Sequence, residues 1–245
     1  SRCNSRCLSC DWWKSSGSDD LTLDEIDALA RALPALGTRL VAFSGGEPLL
    51  RPEVFDAARM FRARGMTLHL LTSGVLLERC AAEVAGEFSR VIVSLDATSE
   101  VLYQAVRGVA ALVTVEKGVA RLRRLAPDIP ITARSTLHKL NFRELPELIN
   151  HARAVGFDGI SFLPADVSSS GFGRGQPGPH PGLALERDEV AELEALIEQT
   201  IAEHQEAFDS GFVTDSTAKL RRLGRYYRAL AGDGDFPPVA CNAPY

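Results

Sequence analysis

The chain has 245 residues, 45% hydrophobic and 24% charged, with 27 basic against 32 acidic side chains and a net charge of −5. This is the composition of a globular chain able to bury one sizeable core; an acidic balance with no basic cluster argues against a nucleic-acid partner, and no apolar run approaches membrane-spanning length. Five cysteines, three of them crowded at one end, do not make a disulfide framework and suit a reducing, cytoplasmic setting.

The first ten residues carry Cys3, Cys7 and Cys10 at C-x3-C-x2-C spacing, with no room between them for regular structure. Thiolates bind soft metals. A [4Fe–4S] cluster takes about one cysteine per iron, so three leave one iron open to a ligand. The same three thiols could hold zinc, with Cys80, Cys241 or a histidine as fourth ligand. The spacing alone leaves both open. None of the five histidines stands at ligand spacing.

Thr22 and Glu25 then form a capping box for a helix with Leu23, Ile26, Ala30 and Leu33 on one face, ending near Pro34 to Gly37. Leu40 to Phe43 reads as a short apolar strand running into Ser44-Gly45-Gly46-Glu47-Pro48. A helix starts after Pro52, and Gly65 ends it. The unit repeats: a strand at 67–71 ending in Thr72-Ser73-Gly74 with a helix over 76–85, then a strand at 90–93 ending in Ser94-Leu95-Asp96 with helical material through Leu125. A strand at 129–137 precedes a helix capped by Asn141 and Glu144, and a strand at 159–163 ends at Pro164-Ala165-Asp166. The Gly-, Pro- and Ser-rich stretch 166–182 is too long for a plain connector and would lie over the strand ends, as a substrate-facing lid or an insertion. One amphipathic helix is expected over 186–208. A more basic one over 216–231 reads as a solvated face.

Five strand–helix units with near-continuous apolar strands predict a parallel sheet covered by helices. Each strand turns polar at its C-terminal end, where the loops of an α/β barrel build a site. The periodicity suits a barrel or a doubly wound open sheet.

Glycines at 45 and 46 let the backbone turn sharply and approach a ligand, and Glu47 adds a carboxylate suited to an ammonium group. Ser94 and Asp96 could meet ribose hydroxyls. Thr132, Arg134, Thr136 and His138 alternate onto one face of their strand, and Arg134 can grip a carboxylate in fork geometry or stand on the surface. Cys80, inside a helix, reads as a buried structural thiol.

C-x3-C-x2-C followed by a strand ending in GGEP resembles the radical SAM superfamily. The resemblance implies a partial (β/α)6 barrel whose first strand precedes the cysteine loop and is missing here. It implies a [4Fe–4S] cluster on Cys3, Cys7 and Cys10, with S-adenosylmethionine at its open iron. The cofactor's amino group would meet Gly45, Gly46, Glu47 and Pro48, and its carboxylate Arg134. Thr72 and Ser73 stand where relatives carry T-N-G, Ser94 and Asp96 where they carry S-L-D-G with Ala97 replacing the glycine, and Leu163 would pack on adenine. Ser9 stands where an aromatic residue is common, and Trp12 and Trp13 follow as shields of the cluster. Cys241 in C-N-A-P resembles the entry to an auxiliary-cluster (SPASM or twitch) region, implying an auxiliary iron–sulfur cluster.

The expectation is therefore a barrel over 1–210 and, over 211–245, a linker helix with the start of a truncated auxiliary region, in a piece of a longer protein. Reductive cleavage of S-adenosylmethionine to a 5′-deoxyadenosyl radical, and hydrogen abstraction from a peptide or peptide-derived substrate, is the implied activity. Flavodoxin or ferredoxin would be the electron donor. Two alternatives stand beside it: a small-molecule enzyme similar to the molybdenum-cofactor GTP cyclases, and a non-catalytic zinc-binding α/β module.

Overall fold

The computed structural model describes residues 2–167, 169, 171–172 and 182–238. Five strands, β1 (Leu40–Phe43), β2 (Thr67–Thr72), β3 (Arg90–Ser94), β4 (Ile131–Leu137) and β5 (Gly159–Pro164), lie side by side in chain order, all parallel. This order decides between the two architectures. Right-handed crossovers between sequential strands put every helix on one face, whereas a doubly wound sheet needs a reversal of strand order. The sheet is accordingly one-sided, a partial barrel wall.

Side-chain burial follows from that asymmetry. Leu68 and Leu70, Val91 and Val93, and Ile131, Ala133 and Leu137 face the helices and are buried; the intervening His69, Leu71, Ile92, Ser94, Thr132, Arg134 and Thr136 line the concave face and are half-buried. Beyond β5 the fold continues as a fragment of pairing: Ile160 N–H donates to Phe212 O (2.8 Å) and Thr214 N–H to Ile160 O (2.9 Å), with Asp215 accepting from Phe162 N–H (2.6 Å).

The helices are α1 (Leu23–Ala32), α2 (Val54–Arg62), α3 (Leu77–Glu87), α4 (Glu100–Arg107), α5 (Leu112–Leu125), α6 (Leu145–Val155), α7 (Arg187–Glu203), α8 (Gln205–Asp209) and α9 (Thr217–Leu230). The Thr22–Glu25 capping box forms on α1. Three expectations change. The helical material through Leu125 is two helices, because Gly108 takes φ +67° and stops α4. The long helix over 186–208 breaks at His204 into α7 and α8. Asn141 caps no helix; its amide donates to Asp96 O and Thr136 O, 2.9 and 3.0 Å away, while Glu144 accepts from the Thr98 backbone.

The basic face of α9 is largely engaged by acids: Arg221 pairs with Glu198 of α7 (2.7 and 2.8 Å), Arg228 with Glu194, and Lys219 with Asp215. From the opposite face of α9, the fully buried Tyr227 donates to Leu137 O (2.5 Å) and accepts from Ala165 N–H (3.0 Å), tying the ends of β4 and β5 together.

Candidate functional site

The C-terminal ends of β1 to β4 carry the predicted polar residues side by side, and the cysteine loop lies across them. Four backbone and side-chain ties hold it. Glu47 N–H donates to Arg2 O (2.7 Å) beside Cys3, and the Ser73 hydroxyl lies 3.1 Å from the Asn4 amide. Arg6 N–H donates to Arg107 O (2.8 Å) and Leu8 N–H to Val106 O (3.1 Å), bracketing Cys7. The last carbonyls of a helix have no partner within it; here the loop supplies two, so the C-terminus of α4 becomes the seat of the loop. Gly108 permits this contact, since a Cβ there would sit 2.6 Å from Arg6 O.

Cys3, Cys7 and Cys10 are free thiols, each partly exposed. Burial pushes the Cys7 thiol up to about 11, against the pull of the Arg107 guanidinium; burial also raises Cys10, opposed by the Trp12 N–H. Among the described residues no three Cys, His, Asp or Glu side chains converge as ligands of a single ion. A cubane asks for something different, since each thiolate binds its own iron. Trp13 is half-buried, with the Arg6 and Lys14 cations 5.8 and 5.3 Å from its ring, and Trp12 is 37% exposed.

Glu47 is buried, and its carboxylate is filled by four donors. Thr72 Oγ1 (2.8 Å) and Leu49 N–H (3.0 Å) reach Oε1; Ser73 N–H and Oγ, both at 2.6 Å, reach Oε2. Glu47, Thr72 and Ser73 therefore form one knot that welds the end of β1 to that of β2. What remains open at this turn is backbone: Gly45, at φ +118°, has nothing within 4 Å of where a Cβ would be. Pro48, buried, opens the short 3-10 turn that follows.

Asp96 is likewise occupied. Its Oδ2 takes Arg107 Nη1 (2.8 Å) in a buried ion pair, and its Oδ1 takes Thr136 N–H (2.7 Å). Ala97 is fully buried, which leaves no close approach for a ligand at that point. The concave face keeps Ser94, Arg134 and Ser161, in register across β3, β4 and β5. Arg134 Nε lies 3.3 Å from Ser161 Oγ, and among the described residues no carboxylate pairs with it. Leu163, half-buried, follows on β5. Cys80 sits buried in α3. Cys241 and most of the 166–182 segment lie outside the described residues; of that segment, Phe172 O accepts Asp11 N–H (2.8 Å).

Sequence reasoning missed Asn4, Tyr103, Arg107, Gly108 and Ser161. An arginine before a helix-ending glycine is an unremarkable pattern until the fold brings the cysteine loop onto it.

Comparison with known proteins agrees with this layout. The model of the Radical SAM superfamily matches residues 1–152. The PqqA peptide cyclase of Rhodopseudomonas palustris is 31% identical over 186 residues, 75% of this chain and 48% of that protein; the GTP 3′,8-cyclase of Caulobacter vibrioides is 32% identical over 166 residues, 64% and 47%. The chain thus spans about half the length of the curated relatives it matches. The structure of anSMEcpe with bound AdoMet and a Cp18Cys peptide superposes with a TM-score of 0.67 at 19% identity, over 87% of this chain and 59% of that one. Streptococcus suis SuiB bound to precursor peptide SuiA gives 0.64 at 14%, over 83% and 45%; these two likenesses establish the shared partial-barrel fold. With the family model covering more than half its length, the cysteine loop leading and the GGEP turn inside the match, the chain belongs to the radical SAM superfamily.

Proposed function

We propose that this chain is the core of a radical SAM enzyme acting on a peptide or peptide-derived substrate. One observation carries the reading: the loop with three free thiols is pinned by backbone hydrogen bonds to the Gly-Gly-Glu turn and to the end of α4, above a half-exposed polar concave face. The family's cofactors are a [4Fe–4S] cluster and S-adenosylmethionine, and the residues fit them. Three separate thiols suit three irons, an open glycine turn offers carbonyls to an ammonium group, and Arg134 offers a fork to a carboxylate. Bound together and reduced, they supply a 5′-deoxyadenosyl radical that takes hydrogen from a substrate.

The chain's own residues bind and orient. Cys3, Cys7 and Cys10 hold iron. Gly45 and Gly46 receive the amino group, while Glu47, through Thr72 and Ser73, keeps that turn in place. Arg134, steadied by Ser161, holds the methionine carboxylate; Ser94 reaches a ribose hydroxyl, and Leu163 packs on the adenine. Asp96, with both oxygens engaged, acts on the site through Arg107 and β4. Residues 211–245 lead from the barrel to Cys241 and an auxiliary-cluster region, although α9 still packs on the barrel.

The peptide substrate is favoured by the PqqA cyclase relationship and by the two peptide-bound structures. The GTP cyclases are the second reading, on comparable identity; the net charge of −5 weighs against a triphosphate. No described helix is long and apolar enough to cross a membrane. A flavodoxin or ferredoxin in the cytoplasm is the proposed electron source.

The test is anaerobic reconstitution with iron and sulfide, then S-adenosylmethionine and a strong reductant. We expect a brown protein that releases 5′-deoxyadenosine. A colourless, zinc-loaded protein, or a fully cluster-loaded one that never yields 5′-deoxyadenosine, refutes the proposal.

A further inference from the structure

Buried side-chain polar atoms without a partner are rare in folded chains, and each asks for an explanation. Among the described residues five such atoms gather at the cysteine loop and its seat: Asn4 Nδ2, Ser5 Oγ, Trp13 Nε1, Tyr103 OH and Arg107 Nε. Two stand apart because they lie on one face of α4, the helix whose end holds the chain on either side of Cys7. Tyr103 and Arg107 occupy successive turns of α4, where positions four apart share a face, and the Arg107 guanidinium lies 5.9 Å from the Tyr103 ring. Both are more than nine-tenths buried, and both lie close enough to Cys7 to feel a negative charge on its sulfur. Cys7 is held against them by the hydrogen bonds of its two neighbours, Arg6 and Leu8, to Arg107 O and Val106 O.

Arg107 is also fixed from behind. Nη1 is committed to Asp96, whose other oxygen is tied to β4 at Thr136 N–H, so the guanidinium cannot swing away. Its Nε–H is buried and has no partner among the described residues. A buried cation balanced by one carboxylate, with a spare donor beside a thiol, suits a sulfur that becomes negative on binding iron.

We propose that Arg107 Nε–H and Tyr103 O–H are the hydrogen-bond donors to the Cys7 sulfur in the cluster-loaded enzyme. The proposal rests on the cluster reading above; that reading gives Tyr103 no role and Arg107 only its ion pair with Asp96. They are positioning residues that act through Cys7. Hydrogen bonds to the sulfurs and nearby charge set the reduction potential of an iron–sulfur cluster, because the reduced form carries one more negative charge. Cys7 is the ligand bracketed by the hydrogen bonds to the end of α4; the Arg107 charge also reaches Cys10, whose sulfur the Trp12 backbone N–H serves. The cluster is therefore easier to reduce than three bare cysteines would allow.

The test uses the whole chain, reconstituted and reduced, with arginine labelled by ¹⁵N in the guanidinium. Pulsed EPR of the wild type should show a ¹⁵N coupling to the cluster that disappears in Arg107→Lys, which keeps the charge opposite Asp96 but has no Nε–H. Tyr103→Phe deletes one hydroxyl that lies beside the Arg107 guanidinium and makes no well-formed hydrogen bond among the described residues, so folding is not at stake. Both variants should keep full iron content while the midpoint falls, by about tenfold in the reduction equilibrium, or about 59 mV for one electron. A loaded wild type without that coupling, or a loaded Tyr103→Phe with an unmoved midpoint, overturns the assignment and leaves the cluster reading standing. A wild type that never gains the cluster's colour and EPR signal fails at the cluster itself and refutes both.

Discussion

Glu47 and Arg134 both belong to the proposed cofactor site, yet the fold holds them in opposite ways. Glu47 accepts four hydrogen bonds inside the fold, whereas Arg134 has, among the described residues, one long contact, to Ser161, and no carboxylate. Glu47→Ala should therefore act first on stability. Stranding several buried donors at about 1–3 kcal/mol each puts the expected loss near 3 kcal/mol or more, read by urea unfolding of the metal-free protein. Arg134→Ala should leave that unfolding curve in place and weaken S-adenosylmethionine binding about tenfold to a hundredfold, the value of one charge-assisted hydrogen bond. Equal destabilisation by the two substitutions would remove this distinction.

At the scale of elements, the cysteine loop has no regular structure of its own beyond the short 3-10 turn at Trp12–Lys14, and it borrows order from the end of α4. Gly108 is the joint. Its left-handed backbone ends the helix, and its bare Cα lets Arg6 O approach. Gly37 ends its own 3-10 turn at φ +75° but has open space around it. Comparing the two separates backbone strain from contact. Gly37→Ala should cost about 1–2 kcal/mol, the ordinary penalty for a side chain in that conformation, and leave iron content unchanged. Gly108→Ala should cost more and should also lower iron per chain, because the added methyl displaces the loop that carries Cys7. Iron retained in full by Gly108→Ala would show that the seat on α4 is dispensable.

The whole molecule is closed at the end of β4, where His138 lies fully buried with Nδ1 accepting Leu140 N–H (3.2 Å) and Lys139 N–H donating to Leu183 O (3.1 Å). Burial holds the His138 imidazole down to about 4, so it is neutral in the folded chain. The unfolded chain takes up that proton near the ordinary value of about 6.5. Stability from this group is complete above that value and falls as the pH drops towards about 4, where the folded form protonates as well. Between pH 7 and 5 the loss should be about 2 kcal/mol in urea unfolding of the metal-free protein, at about 1.4 kcal/mol per pH unit below 6.5. In His138→Asn the slope over that window should be shallower by up to one proton; an unchanged slope would place the acid sensitivity elsewhere.

Much of this molecule was determined by local sequence alone. The spacing of Cys3, Cys7 and Cys10, the glycine turn after a four-residue apolar strand, and the Thr22–Glu25 box act over a few residues, and hydrophobic periodicity located all five strands to within about two residues. Only the tertiary structure decided what those parts do to one another. Strand order placed the helices on one face and left Arg134 on the open one. Glu47 and Asp96 have the side chains of ligand-binding residues, and long-range contacts commit both to the protein itself: Glu47 to the end of β2, Asp96 to α4 and β4. Arg107 and Gly108 carry no signal in the sequence because their role depends on a loop one hundred residues earlier in the chain, and a contact of that separation exists only once the sheet has brought the ends of its strands together.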